Sequence, residues 1–355
     1  MYWIKYFLIS LMLMFIFNKS SFAESALDIS PVCTKVGQGG EESLLSRTSF
    51  CQKFNFEVPV LNNDGFNVAV AKVTGYAYTA NNPTNVLNWP VTFRFKTVYE
   101  GAQNFIIKVH PRFDCTENEC TFAGMPTVPL NTGLSAPITI TPTMKVGSGG
   151  EQRYYLGIKL YADRSDKTVT TSSFYVNGPT LPTLRCDVNL AKANTKGCVF
   201  TDAPAVLNKI KITDPDVNES AIHIKEAQNS GKPGKYVAQS GSVMPDTSYS
   251  TPLTRLRDAT QRRKNRTASL NMCKANFGSY SSTCAFTGDS DETPQDCDCD
   301  EYPFAATNQG ADSSGGNVSV KKIDPSDNRR AGAYLGSFFN QERVLDGDEF
   351  YVNVD

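Results

Sequence analysis

Between residues 24 and 178 apolar and polar side chains alternate in short runs, and no long stretch of helical period interrupts them. The runs VTFRFKTV (91–98), NFIIKV (104–109), PITIT (137–141) and YYLGIKL (154–160) are separated by Gly, Pro and Asn. Successive side chains on a strand point to opposite faces, so alternation over five to eight residues predicts half-buried antiparallel strands. Residues 24–184 therefore read as an all-β sandwich around one core. This half holds no catalytic constellation. Its His110, in VHPRF, is expected at a strand end.

A chain of 355 residues is long enough for two domains at roughly 100 to 200 residues each. The turn-rich segment NGPTLP (177–182) reads as the break, and a second domain is expected over 185–355. There the period changes. Asp214, Pro215 and Asp216 open a helical pattern with Val217, Ala221 and Ile224 on one face and Gly231 at its end. A second helix is expected from near Leu253, carrying Arg255, Arg257, Arg262, Arg263, Lys264 and Arg266. An acidic segment (289–301) is followed by strands at 302–306 and 317–323, a helix from Pro325 to about Asn340, and a strand at 349–354. The expected fold class of this half is α+β.

Charge and cysteine content narrow the chemistry. With 35 Lys+Arg against 36 Asp+Glu, no overall basic field exists, so any nucleic-acid binding must come from a local patch. Two histidines cannot build a three-His metal cage. Lys5, the apolar run 6–17 and the small residues Ser21 and Ala23 have the order of a cleaved export signal over 1–23. About eleven apolar residues are too few to span ~30 Å of hydrocarbon, so no stable membrane insertion is expected. Ten cysteines in an exported chain are expected to pair as disulfides, with Cys115–Cys120 and Cys186–Cys198 as local staples. Cys297-Asp298-Cys299 lacks both the C-x-x-C spacing and the nearby His of a zinc knuckle.

Asn328 carries the most information. At about 100° per residue it projects onto the apolar stripe of Ala331, Leu335, Phe338 and Phe339. A polar side chain on a packing face needs a partner, either a strand end or a metal ion. Asp300 and Glu301 supply the complementary half: adjacent strand residues point to opposite faces, so one meets the helix while the other faces solvent or substrate. Pro303 keeps the chain before it extended. Oxygen-rich sites suit Mg²⁺, Mn²⁺ or Ca²⁺, ions that assist phosphodiester cleavage.

CDEYPFA (299–305), SDNRRAGAYLG (326–336) and RVLDGDEFYV (343–352), with ESAIHIKEAQ (219–228) and NRTASLNMC (265–273) upstream, resemble segments of the NucA/NucB family of bacterial extracellular deoxyribonucleases, in that family's order. The resemblance covers roughly 186–355 and implies a ββα-metal nuclease, in which a hairpin and the following helix hold one divalent cation, Mg²⁺, Mn²⁺ or Ca²⁺, at the scissile phosphate.

Carried onto this chain, the family's pattern places Asp300, Glu301 and Asn328 in the site, and His223 at its helical histidine, which the helical projection sets beside the apolar face. Asp300 is expected to accept the proton of the attacking water and Glu301, with Asn328, to hold the ion, or the two acids exchange roles. Arg329, Arg330, Arg262, Arg263 and Arg266 are the expected phosphate contacts, so the partner is DNA, bound without sequence specificity. The resemblance says nothing about residues 24–178, for which attachment to a surface, a protein partner or protection in transit are open roles. The rival readings are a secreted β-sandwich adhesin or DNA-binding protein with an inactive nuclease-like domain, and a Ca²⁺-stabilised module, which lacks the D-x-D-x-D-G spacing of an EF-hand.

Overall fold

The computed structural model describes residues 33, 42–61, 64–101, 107–114, 119–122, 126, 128–155, 157–164, 174–180, 182–240, 242–278 and 297–355. The expected signal segment, Cys115, Cys284 and residues 289–296 of the acidic segment lie outside them. Among the described residues no helix is long and apolar enough to cross a membrane.

The chain opens with β1 (Glu42–Ser46), β2 (Ser49–Leu61), β3 (Asn67–Thr79), β4 (Val91–Gly101) and β5 (Ile107–Asp114). Five short strands follow: β6 (Cys120–Thr121), β7 (Val128–Pro129), β8 (Gly133–Leu134), β9 (Ile138–Ile140) and β10 (Thr143–Met144). Then come β11 (Glu151–Tyr154), β12 (Gly157–Arg164), β13 (Phe174–Thr180), β14 (Leu184–Val188) and β15 (Lys196–Phe200). The antiparallel sheet β1-β2-β3-β4 is extended by β8 and β9 on β4, and a second sheet runs β13-β12-β5-β7. On β4 the alternation is obeyed: Val91, Phe93 and Phe95 are buried and join Phe50, Val58, Val73 and Trp89 in one core.

Two boundaries differ from expectation. The segment read as an interdomain break lies mostly inside β13, where β12 and β13 slip register between Gly157 and Lys159; the irregularity accommodates Gly178 and Pro179 within a strand. Residues 185–200 also belong to the first core: β14 pairs with β11 and β15, and Leu184, Cys186, Cys198 and Phe200 are buried there. The Phe200 ring stands edge-on to Trp89 and Phe50, at 5.0 and 5.4 Å. The cores therefore change over between Phe200 and Ala205, later than the expected 184/185 join. His110 lies within β5 rather than at its end.

The second core is built from β16 (Ala205–Leu207), α1 (Asn218–Asn229), β17 (Leu253–Thr254), α2 (Ala259–Phe277), β18 (Asp298–Tyr302), β19 (Ser319–Ile323), α3 (Pro325–Gln341) and β20 (Glu349–Val352). β20 lies between β16, parallel, and β17, antiparallel. β18 and β19 form a separate antiparallel hairpin, followed directly by α3. The α3 stripe Ala331, Leu335, Phe338 and Phe339 is buried against Val217, Ala221, Ile224 and Phe350, as its spacing predicts. β18 starts at Asp298, not Tyr302, so the acidic residues 298–301 are themselves strand. The second helix starts at Ala259, capped by the Asp258 carboxylate on the Gln261 amide, so Arg255 and Arg257 precede it.

The Cys186–Cys198 staple is present, joined by Cys33–Cys51 and by Cys273–Cys299, which fastens α2 to β18. Closing that last loop, with a sequence separation of 26, stabilises the fold by about 3 kcal/mol on chain-entropy grounds. Buried Asn265 also ties α2 down: its amide donates to the Ala305 carbonyl, and its oxygen accepts from the Asp312 and Ser313 amides. The approach is close enough that a Cβ on Gly310 would lie 2.3 Å from the Asn265 amide nitrogen.

Candidate active site

Strand β18 divides its side chains between two partners. Asp298 and Asp300 share one face, Cys299 and Glu301 the other. Cys299 is bonded to Cys273 of α2, and Glu301 turns to the same helix, where the Ser269 hydroxyl lies 3.2 Å from Oε2. The Ala305 amide donates to the other oxygen at 3.2 Å. Asp300 turns to α1: its Oδ2 is 2.8 Å from Nδ1 of His223. Both acids thus meet helices, whereas only one was expected to.

His223 is 1% exposed, on the packing face of α1 rather than beside it. Its Nε2 lies 2.9 Å from the Ser319 hydroxyl of β19, so both ring nitrogens are engaged and the ring orients the Asp300 carboxylate from behind. Gln228, one turn further along α1, donates to the Tyr302 hydroxyl, which donates to the Pro233 carbonyl.

Helices α1 and α3 start at the same place and satisfy each other's first turns. The Asp327 carboxylate accepts from the Glu219 amide of α1 at 2.9 Å, and the Glu219 carboxylate accepts from the Asp324 amide at the start of α3 at 2.7 Å. Burial pushes the Asp327 carboxyl above its usual range. This exchange leaves the next residues of α3, Asn328 and Arg329, facing β18. The Asn328 amide nitrogen is 3.5 Å from Asp298 Oδ2, and Arg329 Nε is 3.3 Å from the same oxygen.

The result is a cleft of about 610 Å³ lined by Asp298, Asp300, Glu301, Asn328 and Arg329 and by Arg255, Arg262 and Arg266. The two α2 arginines are one turn apart, so they share a face with Leu270, also in the lining. Asn328, Asp300 and Glu301 are therefore brought to one cleft, although the Asn328 amide reaches toward Asp298. Arg330 pairs instead with Asp216, and Arg263 is exposed; neither lines the cleft. Sequence reasoning passed over Asp298, left within the acidic segment 289–301, although its place two residues before Asp300 puts it on the same strand face. It also missed Ser269, Ser319 and the role of Arg255, which long-range packing alone brings to the site.

The electrostatics are uneven. Glu301 has neutral donors, an enclosed carboxylate and Asp300 as its neighbour; burial first, and then that negative charge, push it up to about 7. Arg255 is pulled down to about 10 by burial and by Arg257 and Arg262. Asp346 and Asp348 partly offset the Arg255 shift and Arg266 the Glu301 shift, so burial outweighs the opposite charges at both groups. Residues 244–353 match the deoxyribonuclease NucA/NucB family. The C-terminal region of the chain therefore carries a NucA/NucB domain, whose matched segment contains α2, the β18–β19 hairpin, α3 and every cleft arginine, while α1 and His223 precede it. Comparison with curated proteins gives no match.

Proposed function

We propose that the chain is an exported, divalent-metal-dependent deoxyribonuclease that hydrolyses phosphodiester bonds with little sequence specificity. The observation that carries this reading is the cleft that Asp298, Asp300, Glu301 and Asn328 line together with Arg255, Arg262 and Arg266, within a domain matched to a deoxyribonuclease family.

A divalent cation fits the donor set. Glu301 is a half-buried carboxylate with, among the described residues, no cationic partner at hydrogen-bond distance, and two carboxylates with the Asn328 amide offer hard oxygen donors. Mg²⁺ or Mn²⁺ keeps several water ligands and needs few protein oxygens, and Ca²⁺ is a further candidate. Glu301 and Asn328 would hold the ion, with Asp298 beside them; when bound it supplies positive charge where the phosphoryl oxygens gain negative charge.

The chain's own residues do the rest. Asp300, oriented by His223, takes the proton of the attacking water, a contribution on the order of 10²- to 10⁴-fold. Arg262, Arg266 and Arg329 bind flanking phosphates, contacts that carry no base information. The described disulfides suit an oxidising compartment outside the cytoplasm.

A plasmid-nicking assay tests this reading. Cleavage that EDTA stops, and that Asp300→Ala or Asn328→Ala abolishes with near-UV circular dichroism unchanged, is the expected result. Retention of DNA without cleavage in Mg²⁺, Mn²⁺ or Ca²⁺ would replace the enzyme with a binding protein.

A further inference from the structure

We propose that Arg255 contacts substrate phosphate in the cleft and that Arg343, locked to Asp187 of the N-terminal β region, is the positioning residue that holds it there. This rests on the nuclease reading. Arg343 follows α3 with φ +46°, a left-handed conformation usually left to Gly or Asn at a helix end. Its side chain explains why an arginine stands there. It is 1% exposed, with Nε and Nη2 on the two Asp187 carboxylate oxygens at 2.6 and 2.5 Å. Nη2 also reaches the Asp187 carbonyl, and Nη1 the Thr84 carbonyl, both at 3.1 Å.

The backbone of Arg343 is held as firmly as its side chain. Its carbonyl accepts from Arg185 Nη2 at 2.5 Å, and Arg185 also grips Asp348 at 2.7 Å. Both ends of the segment 343–348 are thus tied to β14 of the first core. Gly197 of β15 closes the seam from the other side: a Cβ there would lie 1.7 Å from the Thr84 carbonyl and 3.0 Å from Arg343 Nη1.

Between its two anchored ends the same segment cradles Arg255. The Arg255 guanidinium donates to the Val344 carbonyl. Its amide donates to the Asp348 carbonyl at 2.9 Å, and its carbonyl accepts from Gly347 at 2.8 Å. The guanidinium carbon lies 4.5 Å from the centre of the Phe339 ring. The β region therefore forms the outer support of one cationic wall of the cleft.

The test uses the full chain. Arg255→Gln is expected to raise KM for DNA about tenfold with kcat within about twofold. Asp187→Asn is expected to raise KM in the same direction, and the double variant to be no worse than Arg255→Gln alone. Multiplying effects, or a wild-type KM in Asp187→Asn, would overturn the proposal. Hydrogen exchange supplies a readout independent of turnover: the Arg255 and Gly347 amides should exchange at least tenfold faster in Asp187→Asn, a larger factor than at Ile224 of α1. Unchanged exchange at Arg255 also overturns it. Should Asp187→Asn fail to fold, Arg343→Gly breaks the same contact while relieving the left-handed backbone, and the same outcomes apply. A wild-type chain that leaves plasmid uncut sinks the nuclease reading and the phosphate contact with it; the exchange rates still decide whether the seam holds Arg255.

Discussion

At the seam between the two cores Asp187 gives both carboxylate oxygens to Arg343, whereas in the cleft Glu301 receives a serine hydroxyl and a backbone amide. Asp187 is fully buried and Glu301 partly so, and the chain contains arginines enough to pair either. The seam spends them on closure: Arg185 and Arg343 are fully buried and saturated with acceptors apart from one Arg185 nitrogen. In the cleft Arg266 acts on Glu301 only through its charge, without a hydrogen bond, and burial drives that carboxyl up to about 7. A paired buried acid stabilises one geometry; an acid left with neutral donors retains affinity for something absent from the protein. That contrast separates the structural end of this molecule from its chemical end.

The largest effect expected is on turnover. Asp300→Asn should lower the cleavage rate by roughly 10²- to 10⁴-fold while leaving the unfolding midpoint almost in place, and a large loss of stability instead would move Asp300 to the structural side of the contrast. Asp187→Ala should act the other way round, destabilising the chain by about 3–5 kcal/mol because it leaves a buried guanidinium without its counter-charge; denaturant titration measures this.

Glu301→Gln should have the opposite sign in EDTA-treated protein. The folded carboxyl binds its proton more tightly than the unfolded one, so its contribution is full below pH ~4.5 and is lost as pH rises through about 7. Above that range the amide variant should be more stable by up to about 3 kcal/mol, yet inactive. Equal melting temperatures at pH 8.5 would show that Arg266 offsets the Glu301 charge in full. The smallest effect belongs to Arg329→Ala. This side chain is 70% exposed in its pair with Asp298, so stability should change by no more than about 0.5 kcal/mol while KM for DNA rises.

What could be read from sequence was whatever a short period reports. The alternation in β4 places Val91, Phe93 and Phe95 in the first core, and the α3 spacing places Ala331, Leu335, Phe338 and Phe339 in the second. The same helical projection brought Asn328 to the cleft with Asp300 and Glu301. What escaped was set by pairings distant along the chain. Arg343 meets Asp187 across 156 positions and Arg47 meets the Glu342 carbonyl across 295; no local pattern announces either. An arginine at a left-handed helix end looks unfavourable until its partner is known. Gly178-Pro179 resembled a hinge because turn residues signal a turn only where no neighbouring strand absorbs them, and here β12 does.

The reciprocal carboxylate caps that join α1 to α3 limit where this polypeptide can be cut. A fragment begun at residue 244, the edge of the family match, would discard Glu219 and His223. The Asp324 amide, the Asp327 carboxylate and Asp300 would each lose a partner in a single excision. A fragment begun at 201 would keep those three but forfeit Arg185 and Asp187. Neither truncation is a minimal enzyme, so anyone dividing this protein into modules would have to rebuild, by substitution, the supports that the removed half had been lending.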